Sequence, residues 1–483
     1  MRSTPKSAPP RSAVDRFFEI TERGSTVGRE IRGGVVTFFA MAYIVILNPL
    51  IIGGDANTDI LGNFLPAGQV AAVTSLAAGF MSVLFGLVAR LPFAFAAGLG
   101  LNSFLAVNVV GMVTWQEAMG LVIINGIIIS ILGATGARLA IFRAVPADLK
   151  ASITVGIGLF IAFIGFVNAG FVTRTAGGPP VQLGTDGSIV SPPTIVFLFT
   201  LALVGVLVAR KVTGGILIGL VVGTVVAIVV QSVLQLGPAF ADERGIGWNM
   251  TIPQLPDAVV TIPDLSLIGQ VDPFGAFSRI GAIAALMLVF TLVFTNFFDA
   301  MGTMNGLGRS AGLSDAQGEF PRIRSAFFVE GVGAVVGGTT SSSSTTVFVE
   351  SAAGIGEGAR TGLASVVTGA LLLLSMFFSP LTASVPIEVG SAALVVVGAM
   401  MMTQVKEIDF GNFYIALPAF LTIAAMPLTY SIANGIGIGF VSFAAIHLFA
   451  GKAKKVHWLM WIVAAGFVIY FVRGPIETLL GVR

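Results

Sequence analysis

The stretch SSSSTTVFVESAAGIG, from Ser341 to Gly356, decides how this chain is interpreted. A run of small hydroxyl residues leads through Glu350 into a glycine-rich apolar segment, inside a sequence that is otherwise strongly apolar. An isolated carboxylate at membrane depth is costly, and irregular backbone is tolerated there only where it lines a cavity or is packed in protein. We therefore expect a substrate site at this segment.

The composition is typical of a polytopic membrane protein. Of 483 residues, 55% are hydrophobic and 10% are charged, whereas a soluble domain carries about 25% charged residues. Cysteine is absent and the only histidines are His447 and His457, so we expect no disulfide, no metal site and no cofactor. The sequence also lacks a P-loop motif, which excludes direct use of ATP by that fold.

Hydrophobic runs predict an all-α protein with fourteen transmembrane segments. They cover residues 33–52, 69–90, 93–110, 116–137, 151–169, 194–210, 213–235, 277–303, 324–340, 344–358, 361–380, 387–404, 412–428 and 430–450. Lysine and arginine collect in alternate loops, and the long loop 237–276 is acidic. This asymmetry predicts a cell-membrane protein with cytoplasmic termini and an extracytoplasmic loop at 237–276. The apolar stretch 458–472 is equally compatible with an interfacial or re-entrant helix.

A short internal sequence repeat predicts two inverted halves of seven segments each. The sequence around Pro146 (RAVPADLKASI, 143–153) resembles that around Pro386 (ASVPIEVGSAA, 383–393). With the predicted topology the first copy begins inside and the second begins outside. Inverted repeats of this kind are common in secondary transporters.

Segments three and ten are too short and too polar to be ordinary membrane helices. Each begins with strand-like residues, 93–97 and 345–349, and continues into a glycine-containing helical start. Two such pieces can satisfy their backbones by pairing with each other near the membrane midplane. Asn102 and Glu350 would then lie at half-helix starts, where free N–H groups face the centre of the protein. The alternative is that the glycines are packing kinks and Asn102 is a helix cap.

Segment eight carries a second polar group. Asn296, Asp299 and Thr303 lie three and four residues apart, so they share one helix face. Burial of a carboxylate favours its protonated form, which suits a proton-coupled carrier; the alternative is a carboxyl group satisfied by backbone. Glu330 in segment nine is a third intramembrane acid, expected either to pair with Asp299 or to bond a neighbouring helix.

These residues carry a family resemblance. The chain resembles the nucleobase/ascorbate transporter superfamily, in its azaguanine-type guanine/hypoxanthine/adenine permease branch, over nearly its whole length. The motifs are TFFAMAYI at 37–44 with Asn48-Pro49, AGLGLN at 97–102, GIGLFIAFIG at 156–165, FDAMGT at 298–303, VESAAGI at 349–355, RTGL at 360–363 and IALPAF at 415–420. The chain departs from the family pattern at Ala300, where Thr is usual, at Val347-Phe348, where Thr-Tyr is usual, and at Glu330, where Asp is usual. The loss of a hydroxyl group beside the site leaves the preferred purine open.

The resemblance implies a secondary active transporter that imports guanine, hypoxanthine or adenine by proton symport. It implies an elevator-like movement of a core domain against a gate domain, and a homodimer formed through the gate. The predicted division is a cytoplasmic tail 1–32, core 33–143 and 277–382, gate 144–236 and 383–451, extracytoplasmic loop 237–276, and a C-terminal segment 452–483. The expected partners are a purine, a proton and the bilayer, without nucleic acid.

The resemblance places the family's functional positions at Asn102, Asp299 and Glu350. A carboxylate accepts hydrogen bonds from the donor edge of a purine, so Glu350 suits that edge and Asn102 suits its acceptors. Further expected substrate contacts are Thr303, Ser351 and the rings of Phe93, Phe95 and Phe348, which are otherwise core packing. Proton coupling is expected at Asp299, Glu350 and Glu330. The alternatives are a uracil/xanthine carrier or an anion transporter of the same architecture; an enzyme is not expected, since no nucleophile–base pair is visible.

Overall fold

The computed structural model describes residues 12–55, 57–138, 144–175, 180–239, 246–249, 251–256, 258–314 and 320–479. Parts of the predicted tail (1–11), of the core–gate junction (139–143), of the outer loop (240–245) and of the C-terminal segment (480–483) lie outside these ranges. The elements are α1 (Ala13–Phe18), α2 (Val27–Met41), α3 (Ile44–Ile52), α4 (Ala67–Val88), β1 (Phe95–Ala97), α5 (Leu99–Phe104), α6 (Trp115–Thr135), α7 (Ala147–Asn168), β2 (Val172–Arg174), β3 (Val181–Leu183), α8 (Pro192–Ala209), α9 (Gly215–Leu234), α10 (Gly275–Ile280), α11 (Ala282–Ser310), α12 (Ile323–Thr339), β4 (Thr345–Val347), α13 (Ser351–Gly356), α14 (Gly362–Ser375), α15 (Ile387–Met401), α16 (Phe413–Leu428), α17 (Ile432–Phe449) and α18 (Trp458–Leu479).

Helix boundaries follow from local chemistry. Pro146 and Pro386 are the N-caps of α7 and α15, so the two copies of the repeated motif begin helices in the same way. Thr114 and Glu117 form a reciprocal capping box at the start of α6, and Gly136, with φ +77°, ends that helix.

The chain is a helical polytopic membrane protein. Within the described ranges, ten helices are long and apolar enough to cross a membrane. They coincide with ten of the fourteen predicted segments. The other four, 93–110, 324–340, 344–358 and 412–428, are shorter helices or strand–helix pieces, so length alone does not establish a count of fourteen. The inverted repeat likewise stays a prediction.

The helices pack in two groups. In the first, α6 packs on α12, α4 on α14, and α2 on α13 and α14; in the second, α7 packs on α15 and α16, α8 on α9 and α15, and α17 on α16 and α18. Glycines permit the closest crossings. A Cβ atom built on Gly362 would lie 1.9 Å from the Gly86 carbonyl oxygen, and one built on Gly86 would lie 2.4 Å from the Gly362 oxygen. The groups meet where α11 contacts α7 and α17, and where α5 contacts α7.

The N-terminal segment is fastened to the first group by Glu19. Its carboxylate forms ion pairs with Arg23, Arg90 and Arg322, at 2.6, 3.3 and 3.1 Å. The guanidinium of Arg23 also donates to the carbonyl oxygens of Arg90 and Arg360. The segment before α2 therefore belongs structurally to the first group.

The apolar stretch 458–472 forms most of the helix α18. It packs on α17, and Phe467 contacts Phe440 on α17 and Phe290 and Phe294 on α11. This helix thus touches both groups of helices.

Candidate functional site

Two short strands cross inside the first group of helices. β1 and β4 pair antiparallel, with Phe95 opposite Val347, Ala96 opposite Thr346 and Ala97 opposite Thr345. All six residues are buried. Two backbone bonds extend the pairing: Gly98 N–H donates to Ser344 O, and Phe348 N–H donates to Ala94 O. The predicted pairing of the two broken segments is confirmed, although each strand is shorter than expected.

Glu350 lies where β4 turns into α13. It is the N-cap of that helix, and its side chain is largely buried, with 9% of the residue exposed. Its Oε1 accepts a hydrogen bond from the hydroxyl group of Tyr43. Tyr43 is fully buried in the turn that separates α2 from α3. Sequence reasoning missed this partner, although Tyr43 lies in one of the quoted family motifs.

Asn102 lies further along its helix than predicted. Gly98 is the N-cap of α5, and the backbone N–H of Asn102 already donates to the Gly98 carbonyl oxygen. The Asn102 side chain donates a hydrogen bond from Nδ2 to Oδ1 of Asn48. The Nδ2 group of Asn48 in turn donates to Thr74 Oγ1 and to the Ser342 carbonyl oxygen. Among the described residues, Asn102 Oδ1 has no hydrogen-bond partner although it is buried. The unpartnered group of Asn102 is therefore an acceptor, whereas the sequence prediction needs a donor for the acceptors of a purine.

The helix α11 brings Asp299 of segment eight to the strand crossing. It contacts α5, β4 and α13. Asp299 and Thr303 are half-buried, whereas Asn296 is fully buried. A Cβ atom built on Gly302 would meet no atom within 4 Å in the described part of the chain, so there is space beside Asp299 and Thr303. The elements of Asn102 (α5) and Glu350 (the cap of α13) thus both contact α11, which carries Asp299.

Glu330 does not pair with Asp299. Its Oε2 forms an ion pair with Arg138, and both side chains are fully buried. Arg138 follows α6 and also lies over the rings of Phe297 and Phe327. Arg138 is one of the basic residues that the predicted topology places in the cytoplasmic loops. Of the two predicted roles for Glu330, bonding to a neighbouring element is the one found.

The predicted ring contacts separate into two kinds. Phe95 and Phe93 are fully buried and pack against Phe85, with centroid distances of 4.7 and 6.0 Å. They serve packing behind β1. Phe348, between β4 and Glu350, stacks on no other ring in the described ranges. It remains the candidate for stacking on a ligand.

Ser351 stabilises the strand crossing. Its hydroxyl group accepts from Ala94 N–H at 3.0 Å and donates to the Phe348 carbonyl oxygen at 2.7 Å. Other buried hydroxyl groups near the crossing have no hydrogen-bond partner in the described part of the chain: Ser103, Ser343, Ser344 and Thr346. Buried polar groups are normally paired, so this cluster has capacity for a polar ligand.

Comparisons with known proteins identify the family of this chain. The model of a group described as Permease family matches residues 28–438. Guanine/hypoxanthine permease PbuG of Bacillus subtilis (strain 168) is 36% identical over 94% of this chain and 99% of that protein. Adenine permease AdeP of Escherichia coli (strain K12) is 32% identical over 95% of this chain and 96% of that protein.

A solved structure shares the fold at low identity. The transmembrane domain of the cyanobacterium bicarbonate transporter BicA superposes with a TM-score of 0.59 at 14% identity, over 85% of this chain and 97% of that chain. The family predicted from the sequence motifs is confirmed by the matches to named purine permeases. The chain belongs to this permease family, which here includes guanine/hypoxanthine and adenine permeases.

Proposed function

We propose that this chain imports purine nucleobases (guanine, hypoxanthine or adenine) by proton symport. The observation that carries the proposal is the placement of Glu350 at a half-helix start beside β1 and β4, on a helix that contacts α11, which carries Asp299. The named activities of PbuG and AdeP support a purine as the cargo.

The donors and acceptors of the site suit a flat heterocycle. Glu350 accepts ring N–H groups, and Asn102 offers the same kind of acceptor through its unpartnered Oδ1. The buried hydroxyl groups of Ser344 and Thr346 and the ring of Phe348 complete a surface that is part polar and part aromatic. A site built this way rejects an analogue without a matching donor, because a buried carboxylate would be left unpaired.

We assign coupling to Asp299 and Glu350. Two carboxyl groups close together in a poorly solvated site disfavour double ionisation, so a proton enters readily with the substrate. The charge of Glu330 is compensated by Arg138, and we therefore do not assign a travelling proton to Glu330. An anion cargo, as named for BicA, is opposed by the two acids.

We further propose that the two packing groups are the core and gate domains of an elevator. The first group corresponds to the predicted core ranges 33–143 and 277–382, with the segment before α2 joined to it. The second corresponds to the predicted gate ranges 144–236 and 383–451, with α18 packed on it. The second group exposes apolar side chains on α8 and α9, among them Phe199 and Val225, which suits lipid contact or a homodimer. The strand crossing lies in the first group, so a movement of that group would carry the site across the membrane.

The test is uptake of radiolabelled hypoxanthine into liposomes that contain the purified chain. We expect accumulation with an inwardly directed proton gradient, loss of accumulation with a protonophore, and no requirement for sodium. Glu350→Gln and Asp299→Asn should abolish accumulation while the folded protein is retained. Parallel flux assays with uracil, xanthine, sulfate and bicarbonate test the alternative functions, a uracil/xanthine carrier and an anion transporter. Sodium dependence, full accumulation by either variant, or anion flux without purine uptake would contradict the proposal.

A further inference from the structure

Tyr43 is a buried polar side chain to which the proposed function gives no role. Its hydroxyl group donates to Glu350 Oε1, and the residue is fully buried among the core side chains of α3 and α4. Within the described ranges, no other residue donates a hydrogen bond to the Glu350 carboxylate. One oxygen of the proposed substrate-binding acid therefore already accepts a hydrogen bond from another side chain.

We propose that Tyr43 determines which purines Glu350 prefers, an inference that rests on the proposed function. A carboxylate with two free oxygens accepts from both N1–H and the exocyclic amine of guanine. The Tyr43 phenol takes one of the two lone-pair positions of Oε1 and draws charge from that oxygen, so Oε1 is a weaker acceptor for a second donor than Oε2. Hypoxanthine has N1–H but no exocyclic amine, so it loses little from this arrangement. Tyr43 thus removes most of the advantage that guanine would otherwise have over hypoxanthine.

Burial makes the Tyr43 contact persistent. The side chain has no exposed surface, so it cannot rotate away without disturbing its packing. Its backbone lies in the turn between α2 and α3, whereas Glu350 lies at the start of α13, which packs on α2. The Tyr43 phenol therefore stays beside the Glu350 carboxylate when the first group moves, and it limits hydrogen bonding to Oε1 throughout.

A purely structural role for Tyr43 predicts a different result. If the phenol only holds Glu350 in place, its removal lowers the affinity for both bases by the same factor. If it occupies an acceptor, its removal changes the ratio of the two affinities. The ratio of inhibition constants is therefore the informative measurement.

The experiment is competition of unlabelled guanine and hypoxanthine against radiolabelled hypoxanthine uptake, in liposomes with wild-type or Tyr43→Phe protein. In the variant, we expect the preference for guanine over hypoxanthine to rise about tenfold, the value of one hydrogen bond to a charged group. Tyr414→Phe is the matched control, because Tyr414 packs against His447 and Lys452 instead. It should leave the ratio unchanged.

Wild-type protein supplies a test that does not depend on the folding of the variant. Its two inhibition constants should agree within about threefold, because the exocyclic amine of guanine meets an oxygen already weakened as an acceptor by Tyr43. A wild-type preference for guanine of about tenfold or more would overturn the inference, as would an unchanged ratio in Tyr43→Phe. If wild-type protein takes up neither base, the proposed function fails and this inference fails with it; uptake with an unmoved ratio rejects Tyr43 alone.

Discussion

Arg138 and Glu330 form an ion pair in which neither side chain is exposed. Two buried charges lose hydration, and their attraction compensates only while both are present. In the described part of the chain, Arg138 Nε and Nη2 and Glu330 Oε1 have no hydrogen-bond partner, so the pair is not fully satisfied. Such a pair fixes how α6 and α12 meet more than it adds to stability.

Removal of one partner should therefore cost more than removal of both. We expect Arg138→Met or Glu330→Gln alone to lower the free energy of unfolding by roughly 3–5 kcal/mol. The double variant Arg138→Met/Glu330→Leu should recover most of that loss, because no buried charge is left. Denaturant unfolding of the purified protein measures all three. A double variant as unstable as the sum of the single variants would contradict this view of the pair.

Glu19 is an acid at the protein surface whose charge is stabilised by several arginines. Partial burial acts to raise its pKa, but the hydrogen bonds and charges of Arg23 and Arg322 outweigh this effect and hold the pKa below its ordinary value. A lowered pKa in the folded state means that Glu19 contributes stability above its unfolded pKa. That contribution is lost as the pH falls through the lowered value.

The pH dependence of Glu19→Gln follows from this sign. At pH 7, we expect the variant to be less stable than wild type by about 1–2 kcal/mol, since hydrogen bonds between charged groups are replaced by weaker ones. Below about pH 4, where a glutamate protonates, the difference should close. Thermal unfolding from pH 7 to pH 3 measures it. A stability difference between wild type and variant that stays constant from pH 7 to pH 3 would show that the charge of Glu19 does not contribute to stability.

At the scale of elements, α13 is seated against α2 through glycines. A Cβ atom built on Gly354 would lie 2.2 Å from Thr37 Oγ1 and 2.3 Å from the Gly33 carbonyl oxygen. The backbone of α13 therefore touches that of α2. Because Glu350 caps α13, this contact also places the proposed binding acid.

Gly354→Ala should consequently push α13 away from α2. We expect a loss of about 1–3 kcal/mol, the usual cost of overpacking, and weaker purine binding in a thermal-shift assay. Gly356→Ala is the control in the same helix, because its Cβ atom would meet nothing within 4 Å among the described residues. It should be neutral or slightly stabilising. Equal effects of the two changes would refute the close contact.

The sequence predicts an element correctly where neighbouring residues alone determine its structure. The broken segments were predictable because polar small residues and glycines cannot form an ordinary membrane helix, and their backbones need each other. The partners of the acids were not predictable. Tyr43 and Glu350 are 307 residues apart and Arg138 and Glu330 are 192 apart, and neither pair leaves a periodic signal. Asn102 was placed too early because Gly98 supplies the N-cap without a side chain.

At the scale of the whole molecule, the connection between α9 and α10 forms hydrogen bonds with both groups of helices. Trp248 donates to Gln231 and Asn249 N–H donates to Glu388, in the second group. After residue 260 the hydrogen bonds go to the first group instead. Thr261 N–H donates to the Phe377 carbonyl oxygen, and the Asp264 carboxylate accepts from the Gln69 side chain. Residues 250–260 therefore link two anchor points that belong to different groups.

Shortening this link should restrict relative movement of the groups. Fully extended, residues 250–260 reach roughly 40 Å, and deletion of residues 251–254 removes about 13 Å. We expect the deletion to reduce hypoxanthine uptake severalfold while purine binding, measured by thermal shift, is retained. Insertion of four Gly/Ser residues at the same place is the control and should be tolerated. Undiminished uptake by the deletion variant would argue against movement of one group past the other.

The fastening of the segment before α2 by Glu19 has a practical consequence. In the proposed elevator movement, a dye attached at Ser12 would move with the first group, whereas a dye on the surface of α17 would stay with the second. The distance between the two dyes would then measure that movement without any change to the proposed binding residues.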